Sequence, residues 1–180
     1  MTTSLLPGDA PVGLNEVRAW LRMGASIDDA VIAALVRAAA SICEAFIGGW
    51  LIIRAVRQET VTKGGAIRLN ARPLVAVDAV RLDRGDGAEP LAADRWRLEI
   101  APDGTGWLTL LDPGAAGRIE VDYHAGMAAD VNAVPEAIRQ GLLRMVQHLH
   151  EARDSDGGPP PAAIAALWQP WRRVTLGGGR

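Results

Sequence analysis

The sequence predicts an α+β protein: a small helical bundle with an inserted antiparallel β-meander and an extended C-terminal tail. Near both ends of the chain, apolar residues recur at helical spacing, whereas over residues 51–124 they alternate with polar ones as in strands. The links between these strands are too short for parallel crossovers, so we expect antiparallel pairing. The chain thus divides into a body over residues 1–153, a linker over 154–161 and a C-terminal segment over 162–180.

The first two predicted helices cover residues 14–22 and 26–47. In the longer one, Ser26 can cap the free amides of the first turn, where two aspartates also suit the helix dipole. Two glycines that begin at Gly48 follow this helix and are expected to end it.

A third helix is predicted over residues 134–153, with a proline in its first turn. Its apolar stripe and that of the second helix are expected to pack together as the core of the bundle. The facing residues in this prediction are Val31, Leu35, Ala38 and Ile42 on one helix and Ile138, Leu142, Met145 and Leu149 on the other.

The segment between the second and third helices is predicted to be a series of strands joined by turns. Clusters of glycine, proline and aspartate separate its alternating stretches. The expected strands are 56–62, 67–69, 75–82, 96–100, 107–110 and 119–123. The tripeptide Arg84-Gly85-Asp86 lies between two of them and is expected to be a hairpin turn rather than an adhesion motif.

The charge distribution argues against a body that grips DNA. The formal net charge is -2, but residues 161–180 contain three arginines and no acid, so the other 160 residues carry -5. Phosphate binding needs clustered lysine and arginine, and Lys63 is the sole lysine of the chain.

The sequence also indicates the compartment. Cys43 is the single cysteine, so no internal disulfide can form and a reducing environment is expected. The N-terminus has no basic start followed by an apolar run, so no signal peptide is expected. We further expect no apolar stretch long enough to span a bilayer, and no membrane partner.

Catalytic chemistry has no recognisable pattern in this sequence. His148 and His150 are two residues apart on a predicted helix and point in different directions, so they make a poor metal pair. Cys43 is expected to be a small core residue rather than a nucleophile. We therefore predict no catalytic residue, cofactor or metal, with a small enzyme that has a dispersed site as the less favoured alternative.

The C-terminal segment combines tryptophan and arginine, the residues that most often anchor interfaces. It follows a linker rich in glycine and proline, which disfavour regular structure. Two interpretations stay open: a last helix over Ile164 to Trp168 that folds back on its own core, or a segment that docks on another protein. We expect the part after Pro170 to lie free of the body.

Three motifs, in this order, resemble the head–tail connector (adaptor) proteins of long-tailed phages, prophages and gene transfer agents. The first is Leu14-Asn15-Glu16-Val17-Arg18-Ala19-Trp20-Leu21-Arg22 followed by Asp28-Asp29-Ala30-Val31-Ile32. The second is Ile119-Glu120-Val121-Asp122-Tyr123-His124-Ala125-Gly126 followed by Val134-Pro135-Glu136-Ala137-Ile138-Arg139-Gln140. The third is His148-Leu149-His150-Glu151-Ala152-Arg153, the linker, then Leu167-Trp168-Gln169-Pro170-Trp171-Arg172. Trp171 stands where the family often has a tyrosine.

The resemblance implies a structural virion protein that forms a ring, expected to be dodecameric, beneath the portal of a filled capsid. It implies contacts with the portal, with other copies of itself, with the next connector or tail protein, and with DNA that passes through without specific binding. Assembly is expected in the bacterial cytoplasm, and the final place is the neck of a virion or gene transfer agent. The implied portal-docking residues are Leu167, Trp168, Pro170, Trp171, Arg172, Arg173 and Leu176. Another head or tail completion protein, such as a stopper or tail terminator, is the alternative.

Overall fold

The computed structural model describes residues 2–5, 10–22, 29–112, 116–151 and 159–173. It divides the chain into two compact units. A helical unit contains the described residues of Asp9–Ile52 and Ala128–Arg180, and a β unit contains those of Ile53–Met127 together with the strand Thr2–Leu5. In sequence, the main part of the β unit is inserted between the two halves of the helical unit.

The helical unit is built from four α-helices. They are α1 (Leu14–Leu21), α2 (Asp29–Ile47), α3 (Glu136–Glu151) and α4 (Ala162–Trp168). Helix α3 contacts each of the other three. The buried residues of α3 lie on several of its faces. They are Ile138, Gly141, Leu142, Leu143, Met145 and Val146. This distribution is expected for a central helix, because a helix enclosed by neighbours needs apolar residues around most of its circumference.

The core stripe of α2 differs from the predicted one. The buried residues are Ile32, Val36, Ala39, Cys43 and Ile47. By contrast, Val31 is 41% exposed and Ala38 is also exposed, while Leu35 and Ile42 are half-buried. The helix is apolar on two adjacent faces, so helical spacing alone could not determine which face enters the core.

Helix α2 also corrects the expectation about membrane-spanning stretches. Among the described residues, it is one helix that is long and apolar enough to cross a membrane by length and composition. The helix contacts α3 and α4 through part of its surface, and its length and composition by themselves do not show that it spans a membrane.

The β unit contains two antiparallel sheets. The larger has the order β1 (Thr2–Leu5), β2 (Arg54–Thr62), β8 (Gly117–Ala125), β4 (Leu74–Asp83) and β5 (Ala88–Pro90). The smaller has the order β3 (Ala66–Arg68), β7 (Gly106–Leu110) and β6 (Trp96–Ile100). The predicted meander is therefore wrong. In a meander each strand pairs with the next one along the chain, whereas β8 lies between β2 and β4.

A buried polar network fixes the segment that follows β3 against the large sheet. The side chain of Gln58 is fully buried; its amide donates to the carbonyl oxygen of Arg68 at 2.9 Å, and its oxygen accepts from the backbone N–H of Asn70 at 2.9 Å. The hydroxyl of Tyr123 donates to that same oxygen at 3.0 Å and accepts from the N–H of Ala71 at 3.1 Å. Buried polar groups with partners of this kind fix a single register.

The α+β class and the antiparallel pairing are confirmed. Three helices and six strands lie where the sequence predicts them, within a few residues at their ends. The predicted start of the second helix at Ser26, the end of the third at Arg153 and most of the linker lie outside the described residues. The strand β1 and the short strand β5 were not predicted; both lie at the edges of the large sheet.

Candidate functional site: the C-terminal segment and the exposed surfaces

The C-terminal helix α4 is held in the helical unit by one tryptophan. Trp168 is fully buried, and its indole N–H donates to the carbonyl oxygen of Ile138 on α3 at 3.3 Å. Its ring lies 5.9 Å from that of Phe46 on α2, with the planes tilted by 54°. Ile164, one turn earlier, is buried as well. For Ile164 to Trp168 the structure therefore agrees with the first interpretation, a last helix folded onto its own core.

A glycine in α3 makes room for this indole. A Cβ atom at Gly141 would lie 2.8 Å from Cε2 and 2.9 Å from Cδ1 of Trp168, and closer still to Nε1. Such distances are too short for non-bonded contact, so any larger side chain at this position would displace the indole. Sequence reasoning missed Gly141, although an isolated glycine within a helical pattern is itself a signal of close approach.

Residues 171–173 stay on the helical unit, contrary to the prediction that the chain after Pro170 lies free of the body; residues 174–180 lie outside the described residues. A 3₁₀ turn over Gln169–Trp171 leads to Arg172, whose guanidinium carbon is 5.3 Å from the centre of the Phe46 ring. The N–H of Arg173 then donates to the carbonyl oxygen of Ile47, at the end of α2, at 2.9 Å. This backbone bond satisfies a terminal carbonyl that the helix itself cannot pair.

The predicted docking residues differ in what they offer to a partner. Pro170 and Arg172 are exposed, Leu167, Trp171 and Arg173 are half-buried, and Trp168 is buried within the chain. Leu176 lies outside the described residues. The structure thus brings an exposed proline, a half-buried tryptophan and two arginines onto one short segment, with Trp168 as its internal anchor.

The outer face of the large sheet carries a paired charge network. Arg57 donates to Asp122 at 2.7 Å, and Arg81 donates to both Glu120 at 2.5 Å and Asp122 at 2.6 Å. The hydrogen bond from Arg57, followed by that from Arg81, holds the pKa of Asp122 below its usual range. Because these arginines are engaged by carboxylates, this face does not present them as a cluster for phosphate.

The histidines and the cysteine show no catalytic arrangement in the part of the chain that the structure describes. Cys43 is fully buried, and desolvation raises the pKa of its thiol far above the usual value, so the reactive thiolate does not form. Among the same residues, no group of three or more His, Cys, Asp or Glu side chains could hold a metal ion. His124 is half-exposed and pairs with Asp78 at 2.8 Å.

A small cavity in the β unit is lined by five apolar residues, two aspartates and two arginines. Its volume is about 360 Å³. Its charged residues include Arg84, which donates to Asp112 at 3.2 Å. Neither histidine nor cysteine nor serine is among the residues that line it. The half-buried tryptophan and the two arginines of the C-terminal segment are typical of a surface that contacts another protein, so the class that the site indicates is a component of an assembly.

Comparison with known proteins assigns the chain within that class. A family model described as head completion protein matches residues 12–156. The chain belongs to the head completion protein family, and its role is that of a structural connector of head and tail rather than that of an enzyme. No curated protein sequence matches it.

Solved structures agree with the family. The chain is similar, with a TM-score of 0.79 and 27% identity over 100% of both chains, to one from the neck of an empty gene transfer agent particle with C6 symmetry. It is similar with a TM-score of 0.78 and 28% identity, again over 100% of both chains, to one from a native particle neck with C12 symmetry. A chain of the native virion matches with a TM-score of 0.79 and 27% identity over 99% of each.

Proposed function

We propose that this protein forms a ring of twelve copies in the neck of a phage or gene transfer agent particle, between the portal and the next connector or tail protein. The observation that carries the proposal is the full-length similarity to a chain from a particle neck with C12 symmetry. The ring would assemble in the bacterial cytoplasm and join a head that has been filled with DNA. It would extend the channel through which that DNA leaves.

The charge of the chain suits such a channel. Outside residues 161–180 the formal charge is -5, and Arg57 and Arg81 of the large sheet are paired with carboxylates. A duplex that must slide through a ring is better served by a surface that does not bind it, because each phosphate contact adds to affinity. The body should accordingly bind DNA weakly and without sequence preference.

The C-terminal segment is proposed to dock on the portal. Trp168 keeps its place in the helical unit and fixes the direction of the chain that follows. Pro170, Trp171, Arg172, Arg173 and Leu176 then meet the partner, with the indole of Trp171 in an apolar pocket and the guanidinium groups on carboxylates or carbonyl oxygens. Repetition around the ring multiplies a weak contact into firm attachment.

Because Trp168 is part of the core of the helical unit, the docking of the C-terminal segment is best tested by a variant that keeps this residue. Truncation after Asp156, which first suggests itself from the sequence, would remove Trp168 and expose its apolar site on α2 and α3. A point variant avoids that problem. Trp171→Ala combined with Arg172→Ala removes the outer contacts, and Gln169→Ala changes an exposed residue of the same segment as a matched control.

The assay is tail attachment to DNA-filled heads in a particle whose own copy of the gene has been deleted and is supplied in trans. The double variant should fold normally, as judged by circular dichroism, and yield heads without tails. The Gln169→Ala control should restore whole particles. Normal particle yield with the double variant would contradict portal docking by this segment. Cross-linking of the segment to a tail protein instead would favour a stopper or tail terminator.

A further inference from the structure

Helix α2 has a second apolar face that the described residues of the helical unit leave exposed or half-buried. We call it the α2 outer stripe; its members are Val31, Ala34, Leu35, Ala38, Ile42 and Ala45. Val31, Ala34, Ala38 and Ala45 are exposed, and Leu35 and Ile42 are half-buried. Only 28% of the most apolar 18-residue stretch of this helix is buried, although that stretch is apolar enough to span a membrane.

The charges of α2 are confined to the other flank. The helix contains three charged residues, Asp29, Arg37 and Glu44. A rotation of about 100° per residue places all three on the side away from the outer stripe. Asp29 forms an ion pair with Arg18 of α1, and the carboxylate of Glu44 accepts from the N–H of Leu51 at 2.9 Å. A face that stays in water would carry charged residues along its length, whereas the outer stripe carries none.

We infer that the α2 outer stripe is the surface by which one copy of this chain contacts the next copy in the ring. The inference rests on the proposed ring. In a closed ring of more than two copies, each interface joins two different faces of the same chain, so every copy must offer an adhesive face to its neighbour. The stripe supplies an apolar face that extends along the whole helix. Its alanines allow a neighbouring backbone to approach closely, because the distance between packed elements depends on the side chains at the contact.

The test introduces one carboxylate into the stripe and one beside it. Ala38→Asp places a charge at an exposed position of the stripe, so the fold should tolerate it. Ser41→Asp adds the same charge at an exposed position at the edge of the stripe, one turn after Arg37, whose guanidinium can pair with it, and serves as the matched control. Thermal unfolding by circular dichroism shows that both variants are folded before assembly is measured.

Assembly of the purified full-length chain is followed by sedimentation velocity over a range of concentrations, and by incorporation into particles if the isolated chain is monomeric. Wild type and Ser41→Asp should assemble alike. Ala38→Asp should need at least about a tenfold higher concentration for half-assembly, or be absent from particles, because an unpaired carboxylate would be buried at each contact. A photoreactive benzoylphenylalanine at position 31 should also cross-link to a second copy.

Three results would overturn the inference. Ala38→Asp that assembles like Ser41→Asp would refute the assignment of this face and leave the proposed ring intact. A wild-type chain that forms no multimer, alone or in particles, would refute the ring and the face together. Flotation of the wild type with phosphatidylglycerol vesicles, lost in Ala38→Asp while multimers persist, would assign the stripe to a membrane instead.

Discussion

Replacing Gly141 by alanine probes how tightly the C-terminal segment is held to the body. The new methyl group would project into the indole of Trp168, with Cε2 at 2.8 Å and Cδ1 at 2.9 Å from the new carbon. Forcing an extra carbon into a packed site destabilises a protein by about 1–3 kcal/mol. Alanine is better than glycine in a helix by about 1 kcal/mol. The net loss of unfolding free energy should therefore be about 0–2 kcal/mol.

The same substitution should have the opposite sign once the indole is gone. Trp168→Ala alone should reduce the unfolding free energy by about 3–5 kcal/mol, since it empties a fully buried aromatic site. In that background the Gly141 methyl group has space, so Gly141→Ala should stabilise the chain by about 1 kcal/mol through helix propensity. The coupling between the two positions should then be about 1–3 kcal/mol.

Urea unfolding followed by far-ultraviolet circular dichroism at 222 nm measures all four variants without depending on tryptophan fluorescence. The wavelength reports helix content, which both substitutions leave in place. Gly141→Ala could instead raise the unfolding free energy of the wild type by the same amount as that of Trp168→Ala. That result would show that the indole does not occupy this site. The account of Trp168 as the internal anchor of the segment would then be wrong.

Three further changes test other parts of the fold. Leu142→Asp places an unpaired charge in the core of the helical unit, where Leu142 is fully buried, and should abolish cooperative thermal unfolding or lower its midpoint sharply. Tyr123→Phe leaves Gln58 and the N–H of Ala71 short of a partner and should lower the unfolding free energy in urea by about 1–3 kcal/mol. Asp122→Asn removes a carboxylate whose pKa is lowered by arginines. The unfolding free energy of this variant should be lower than that of wild type at pH 7, and the difference should shrink below about pH 4 and disappear as the pH falls through the lowered folded-state pKa.

The features that the sequence predicted well are local. The alternation in strands such as 119–123, and the spacing of apolar residues in the three predicted helices, set their positions to within a few residues. These patterns depend on residues close together in the chain, and burial of one face suffices to reveal them. The same holds for Cys43, predicted to be a core residue and found fully buried.

The features that it missed depend on long-range contacts. Strand β8 lies between β2 and β4, and no local pattern states which strands become neighbours. The core face of α2 could not be chosen from spacing, because apolar residues also form the outer stripe, which we assign to a neighbouring copy. The position of Trp168 depends on the space above Gly141, which lies 27 residues earlier by number. Composition alone therefore left open whether residues 164–168 pack on the body, and it predicted a free chain after Pro170, where residues 171–173 in fact stay on the helical unit.

A cryo-EM reconstruction of the neck of the particle that contains this protein tests the central claim most directly. The account predicts twelve copies in a closed ring beneath the portal, with the α2 outer stripe buried between adjacent copies and residues 169–176 against the portal. A neck in which this chain is absent, or in which it forms no ring around the DNA channel, would contradict the account.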